Sequence, residues 1–367
     1  MRAENRLFCF RTLLCPYGQM TRTGPEGRAA NRKATNMTLR KSLLISALML
    51  AGCGRMDRET EFRSVLPTKE LVEVKTPEKS GQGLTSAEAV HAQGKGDLSE
   101  LYKLTRATTV TVNGGTLWVL GLVDKVTKYP ATTLTADTAV WGPYTEALAR
   151  NAWKLTVKKT GEQTYSYTVS AKAKEAQDSA FVDVITGTHT AAVDEAGEPV
   201  RGFGKGEFTL DWDKAATLPE HDANVGRFIV KYARQDTKSA ATVDAAFRQV
   251  RDENDASKRV DADYRYAATP SQGGQFDFKL VQDWHKVTGS DAKETLTIKS
   301  RWLETGAGRS DVELSGGDLG AEKGHASECW DPAFASRYLY ASYTLPQVQY
   351  GAETTDCAFA TASYSSL

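Results

Sequence analysis

The chain has 367 residues with 46 basic and 46 acidic side chains, but residues 1–52 hold nine basic and two acidic ones, leaving 46−9=37 against 46−2=44 beyond them. Residues 53–367 thus carry a formal charge of 37−44=−7 without a basic block, which speaks against nucleic acid and against electrostatic docking on anionic lipid. The 315 residues of that part (367−52) suffice for one large core or two small ones.

Residues 1–36 are rich in Arg, Gly and Thr and lack a hydrophobic period. They are expected to precede the working start at Met37, with an extended leader as the alternative. From Met37 three features follow in order: Arg40 and Lys41, the apolar run Leu43 to Leu50, and Leu50-Ala51-Gly52-Cys53. The run is too short for a permanent membrane helix and long enough for a secretory signal.

These 17 residues (53−37+1) resemble the signal peptide and lipobox of bacterial lipoproteins. The resemblance implies that residues 37–52 are removed and that Cys53 carries a diacylglyceryl thioether and an acylated amine, with palmitate-type chains. Anchoring of this kind is stable, because each buried methylene contributes about 0.8 kcal/mol. In many such lipoproteins an aspartate after the cysteine favours the inner membrane. Gly54 therefore points to the outer membrane of the bacterial cell envelope.

Residues 53–97 are charged and broken by Pro67, Pro77, Gly81, Gly83, Gly94 and Gly96, which predicts a flexible membrane tether. A single β-rich domain over 98–367 is expected to follow. Asp97 or Ser99 can cap a helical segment at 98–130, with Leu101, Leu104, Leu117, Leu120 and Val123 as its buried face. Thr108 to Val112 is β-branched and Asn113-Gly114-Gly115 is turn chemistry, so two helices or a hairpin remain alternatives. Trp118 with Leu117, Val119 and Leu120 reads as a helix packed on a sheet, the alternative being a membrane-lying face.

Over residues 140–345 the period becomes two. Trp153, Leu155 and Val157 alternate with Lys154, Thr156 and Lys158, and the pattern recurs through Phe208, Leu210 and Trp212, through Phe228, Val230 and Tyr232, and through Phe276, Phe278 and Leu280. Short turns separate the runs, and short turns join antiparallel neighbours. The expected fold is mainly β (α+β), a curved up-and-down meander of roughly ten to twelve strands or an incomplete barrel on an N-terminal helical segment. This arrangement resembles the half-barrels of lipoprotein carriers such as the LolA and LolB group. The likeness is architectural, and no motif carries residues across.

Of the five cysteines, Cys9 and Cys15 fall in the excluded leader and Cys53 is the lipid site. Cys329 and Cys357 remain as a disulfide pair in an oxidising compartment, closing the C-terminal segment 329–367. His91, His189, His221, His285 and His325 lie too far apart for a sequence-local metal site, and neither metal nor cofactor is expected. Gly202-Phe203-Gly204-Lys205-Gly206 precedes a strand and so reads as a turn or bulge, not a phosphate cradle. The pairs Asp211 and Asp213, and Asp261 and Asp263, read as a solvated sheet face. A polar site at His325, Glu328, Cys329 and Asp331 is a weaker alternative.

Trp153, Trp212, Phe276, Phe278, Trp284 and Trp302 share the apolar parity of their strands. They are core or, if the curved sheet leaves a hollow, the face for an apolar ligand. The expected function is a non-enzymatic structural or binding module held in the envelope. Its partners would be the membrane through the N-terminal lipid, and a hydrophobic small molecule or an envelope protein. An envelope hydrolase is the second class, and a pocket with converging titratable side chains would mark it.

Overall fold

A computed structural model describes residues 58–78, 94–252, 256–283, 287–342 and 348–367. Fifteen strands form one antiparallel sheet in strict sequence order, from β1 (Thr133–Leu134) and β2 (Thr138–Tyr144) to β14 (Ser336–Ala341) and β15 (Val348–Tyr350). Among the described residues each strand pairs only with its neighbours in the chain, and β1 does not pair with β15, so the sheet is an open up-and-down meander. Its outermost strands have only two and three residues, which limits the unpaired edge. The meander fold expected from alternation is present, with fifteen strands where roughly ten to twelve are expected. The runs read from the sequence are β3 (Asn151–Lys159) to β12 (Gly308–Gly316), and β1 and β15 are too short for a period of two to show.

The alternation sorts the two faces. Phe208, Phe228, Val230, Phe276, Phe278 and Ile298 have no exposed surface and belong to one continuous core. The opposite face carries a charged ladder across β9 (Arg259–Thr269), β10 (Gly273–Gln282), β11 (Glu294–Leu303) and β12 (Gly308–Gly316). Lys279 meets Asp263 at 3.0 Å, Lys299 meets Asp277 at 3.3 Å, and Arg301 meets Asp311 at 2.6 Å.

Two helical pieces, α1 at residues 58–64 and α2 (Lys69–Val72), precede α3 (Glu100–Thr127). α3 is one continuous helix of 28 residues, with Ser99 as its cap accepting from Tyr102 N at 3.1 Å. Its threonines turn their hydroxyls back onto the helix, Thr105 onto Leu101 O, Thr108 onto Leu104 O and Thr109 onto Thr105 O, at 2.7 to 3.0 Å. Asn113, read as turn chemistry, instead binds the Val74 backbone with both ends of its amide, at 2.9 and 2.8 Å.

α3 crosses the curve of the sheet. At its N-terminal end Leu101 N donates to Glu328 Oε2 at 2.8 Å, and Thr105 Oγ1 lies 2.5 Å from Ser300 Oγ. Midway it passes Phe228 on β7 (Arg227–Arg234), and at its C-terminal end it lies against β2 and β3 (Asn151–Lys159).

The tether expected over 53–97 is corrected for the part described. Phe62, Leu71, Val72 and Val74 are at most 2% exposed and join the same core as the sheet. Their apolar spacing is that of short amphipathic pieces, which Pro67 and the surrounding charges conceal. Full burial of side chains this size contributes about 1.5–3 kcal/mol each, so this segment belongs to the folded body.

Candidate functional site

Strand alternation and α3 decide what becomes of the aromatic face. Phe276 and Phe278 lie 5.3 Å apart with no exposed surface, so within the curve they are packed core. Trp153 on β3 is half-buried against that core. Trp212 is not a strand residue: β6 (Pro199–Asp211) ends one position earlier, because Asp211 accepts from Lys214 N at 3.0 Å and caps α4 (Trp212–Ala215). Its ring still reaches the aromatic group, 6.3 Å from Phe228 and 6.1 Å from Phe247. Trp284 and Cys53 lie outside the described residues.

Trp302, at the end of β11, is 6% exposed and stacks on Tyr266 at 6.4 Å. Both rings border a cleft of about 290 Å³ at one end of the sheet, rimmed by Glu73, Lys75, Arg234 and Glu304. Burial raises the Tyr266 hydroxyl above its usual value, against a contact with the Lys75 backbone that lowers it. Gly274 makes room for the indole, since a Cβ there would stand 2.8 Å from Trp302 Cζ2. An aromatic floor with a rim of both charges suits a ligand that is apolar in its body and polar at one end. Lys75 and Arg234 escaped the sequence reading, the first because it fell in the supposed tether.

The other polar candidates are dispersed by the period of two. Asp213 accepts from Gly226 N at 2.8 Å, Asp261 accepts from Gln249 N at 2.8 Å, and Asp263 pairs with Lys279 and Arg248. Each of these carboxylates thus serves a turn, a bulge or a cross-strand pair. His325 faces Glu313 on the outer side, 3.1 Å away, whereas Glu328 points inward to the start of α3. Burial raises the Glu328 carboxyl, and bonds from Ser336, Leu101 N and Ser99 offset part of that. Asp331 is taken up by Arg337 and by the backbone of Ala333 and Ala335. Among the described residues no group of three or more His, Cys, Asp or Glu side chains is gathered to hold a metal ion.

His189 illustrates the bulge reading of the glycine cluster. The register shifts between Ala191 and Ala192 opposite Gly204, whose φ of 142° and contact with Thr190 O leave no space for a Cβ. The imidazole, 1% exposed, meets Tyr232 Oη at 3.1 Å through Nδ1. Burial lowers its pKa to about 4, opposed by a slight upward pull from the Phe203 backbone.

Cys329 and Cys357 form the disulfide, with Cα atoms 5.3 Å apart. It pins the C-terminal segment over the outer face of β12 and β13 (Lys323–Trp330). Arg309, 1% exposed, bonds Asp311 at 2.8 Å, Glu353 at 2.5 Å and Phe359 O at 3.0 Å. Asp311 has no exposed surface and also accepts from Arg301, Ser327 and Ser363 N, so both charges of this buried pair are satisfied. No family model matches the chain, and no curated protein or solved structure matches it.

Proposed function

We propose that the chain is an envelope lipoprotein, anchored by acyl chains on Cys53, whose folded part is a non-enzymatic structural or binding module. The observation that carries this reading is the order Arg40-Lys41, Leu43 to Leu50, Leu50-Ala51-Gly52-Cys53. The Cys329–Cys357 disulfide supports it, because such a bond persists in an oxidising compartment. Gly54 favours the outer membrane as the anchored leaflet's home. Metabolic labelling with an acyl analogue is expected to mark the wild type and not Cys53→Ala. Labelling of both alike, or of neither, removes the reading.

The binding side of this proposal rests on the cleft at Tyr266 and Trp302, since Phe276 and Phe278 are covered by the core. A hydrophobic small molecule with a polar end fits that floor and rim. Organic extraction of the protein purified without detergent, followed by mass spectrometry, is expected to yield one. Absence of any bound molecule, with tryptophan emission unmoved by added fatty acid, leaves the structural role alone.

A further inference from the structure

α3 carries no charged side chain from Ala107 to Val123, a run of 17 residues (123−107+1). Its inner side is accounted for: Val112, Thr116, Val119 and Val123 are buried against the core. Its outer side is equally apolar and uncovered among the described residues. Val110, Leu117 and Trp118 are 49%, 42% and 41% exposed, and Gly121 is open beside them. Positions 110, 114, 117, 118 and 121 fall on one face of a helix. Beyond the exposed Asp124, Lys125 and Lys128 lie Tyr129, 53% exposed, and Leu148, 97% exposed on a loop that the Lys125–Glu146 pair joins to α3 at 2.7 Å.

The place of the anchor in the chain bears on what such a face meets. α1 packs at this same end of α3, where Arg63 bonds Tyr129 O at 2.8 Å and Glu59 accepts from Ala131 N at 3.2 Å. Only four residues separate Cys53 from Arg58, the first described residue of α1 (58−53−1=4). Five Cα steps reach at most about 18 Å. Trp118 and Thr127 are nine helical residues apart, about 14 Å along the axis. An acyl-bearing Cys53 therefore holds the folded body close against the bilayer, not at the end of a long tether.

We infer that the outer stripe of α3, centred on Leu117 and Trp118, lies on the lipid surface to which Cys53 is anchored. This rests on the lipoprotein reading for the place of the anchor. The contact is apolar, in keeping with the net negative charge of the folded part, and an indole suits the boundary between headgroups and acyl chains. The sheet then faces away from the membrane, with the helix as the sole.

The test uses residues 53–367 with the Cys53 thiol coupled to a maleimide lipid, which supplies the tether whether or not cells acylate that cysteine. Vesicles are phosphatidylcholine brominated on its acyl chains, which quenches tryptophan at short range. The emission of wild type minus that of Trp118→Phe isolates Trp118 from the other six tryptophans (7−1). That difference emission is expected to be lost on brominated vesicles and kept on unbrominated ones. An unquenched Trp118 on the tethered protein overturns the inference. So does a Trp118 already shielded from acrylamide before vesicles are added, whether a second copy seen by sedimentation or residues 79–93 of the same chain do the covering. Failure of the lipoprotein reading is seen separately, in the acyl labelling of Cys53.

Discussion

The seating of α3 is open to a test in which one substitution made twice has opposite signs. Gly115 and Gly121 are both interior to α3, so replacing either by Ala gains about 1 kcal/mol of helix propensity. At Gly121 a Cβ meets nothing within 4 Å, and the gain should appear whole. At Gly115 the Cβ would stand 2.8 Å from Phe228 Cε1, 3.1 Å from Cδ1 and 3.2 Å from Cζ. The ring cannot retreat: it has no exposed surface and lies 4.4 Å from Phe247 and 6.3 Å from Phe208. Overpacking of this kind costs about 1–3 kcal/mol. Gly115→Ala should therefore leave the protein about 0–2 kcal/mol less stable, and Gly121→Ala about 1 kcal/mol more stable. Urea denaturation of the oxidised protein, followed by circular dichroism and intrinsic fluorescence, measures both. Equal stabilisation by the two variants would show that α3 does not rest on Phe228, and the account of the core would fall with it.

Removing the disulfide by Cys357→Ser should lower stability by roughly 3–4 kcal/mol, the chain-entropy value for a separation of 28 residues, and expose Arg309 to proteases through release of the C-terminal segment. Unchanged stability would mean that the buried Arg309–Asp311 pair holds the segment by itself. His189 is kept neutral, with a folded pKa of about 4 against 6.5 for the free side chain, so the stability tied to it is complete above pH 6.5 and drains as pH falls toward 4. The loss is at most about 3 kcal/mol. His189→Gln should flatten the fall in urea midpoint between pH 6.5 and 4 relative to wild type, and an identical slope in both proteins would count against the burial of this imidazole.

What the sequence made legible follows from which forces are local. Alternation is local, so the strands and their faces could be read from Trp153, Phe208, Phe228 and Phe276 without any tertiary knowledge. Trp212 went astray because parity continued one residue past Asp211, while a side-chain cap, visible only as Asp-Trp-Asp-Lys, had already turned the chain. α3 was obscured for a different reason. Thr108 to Val112 disfavours a helix by propensity, and burial against the sheet overrides that preference. Residues 58–74 were missed because their apolar positions gain meaning only from Tyr165 and the far strands they touch; Phe62 meets Tyr165 edge-on at 6.1 Å. The cleft at Trp302 was hidden for the same reason, since Lys75 and Arg234 come from opposite ends of that packing.

The strict neighbour order of the sheet has a kinetic meaning. The fourteen strand pairings among the described residues (15−1) all join chain neighbours, and those closed by short turns can form as hairpins on the microsecond scale usual for such units. The contacts that fix the curve are of another kind: Thr105 finds Ser300 across 195 positions, and Leu101 finds Glu328 across 227. Closing a loop of that length costs roughly 2–3 kcal/mol more entropy than closing a ten-residue turn. The ribbon of strands is thus quick to zip and slow to acquire its shape. Until α3 docks at both ends, the nascent molecule presents a broad apolar sheet with no fixed radius, and it is in that interval, more than in the finished fold, that it is most exposed to aggregation.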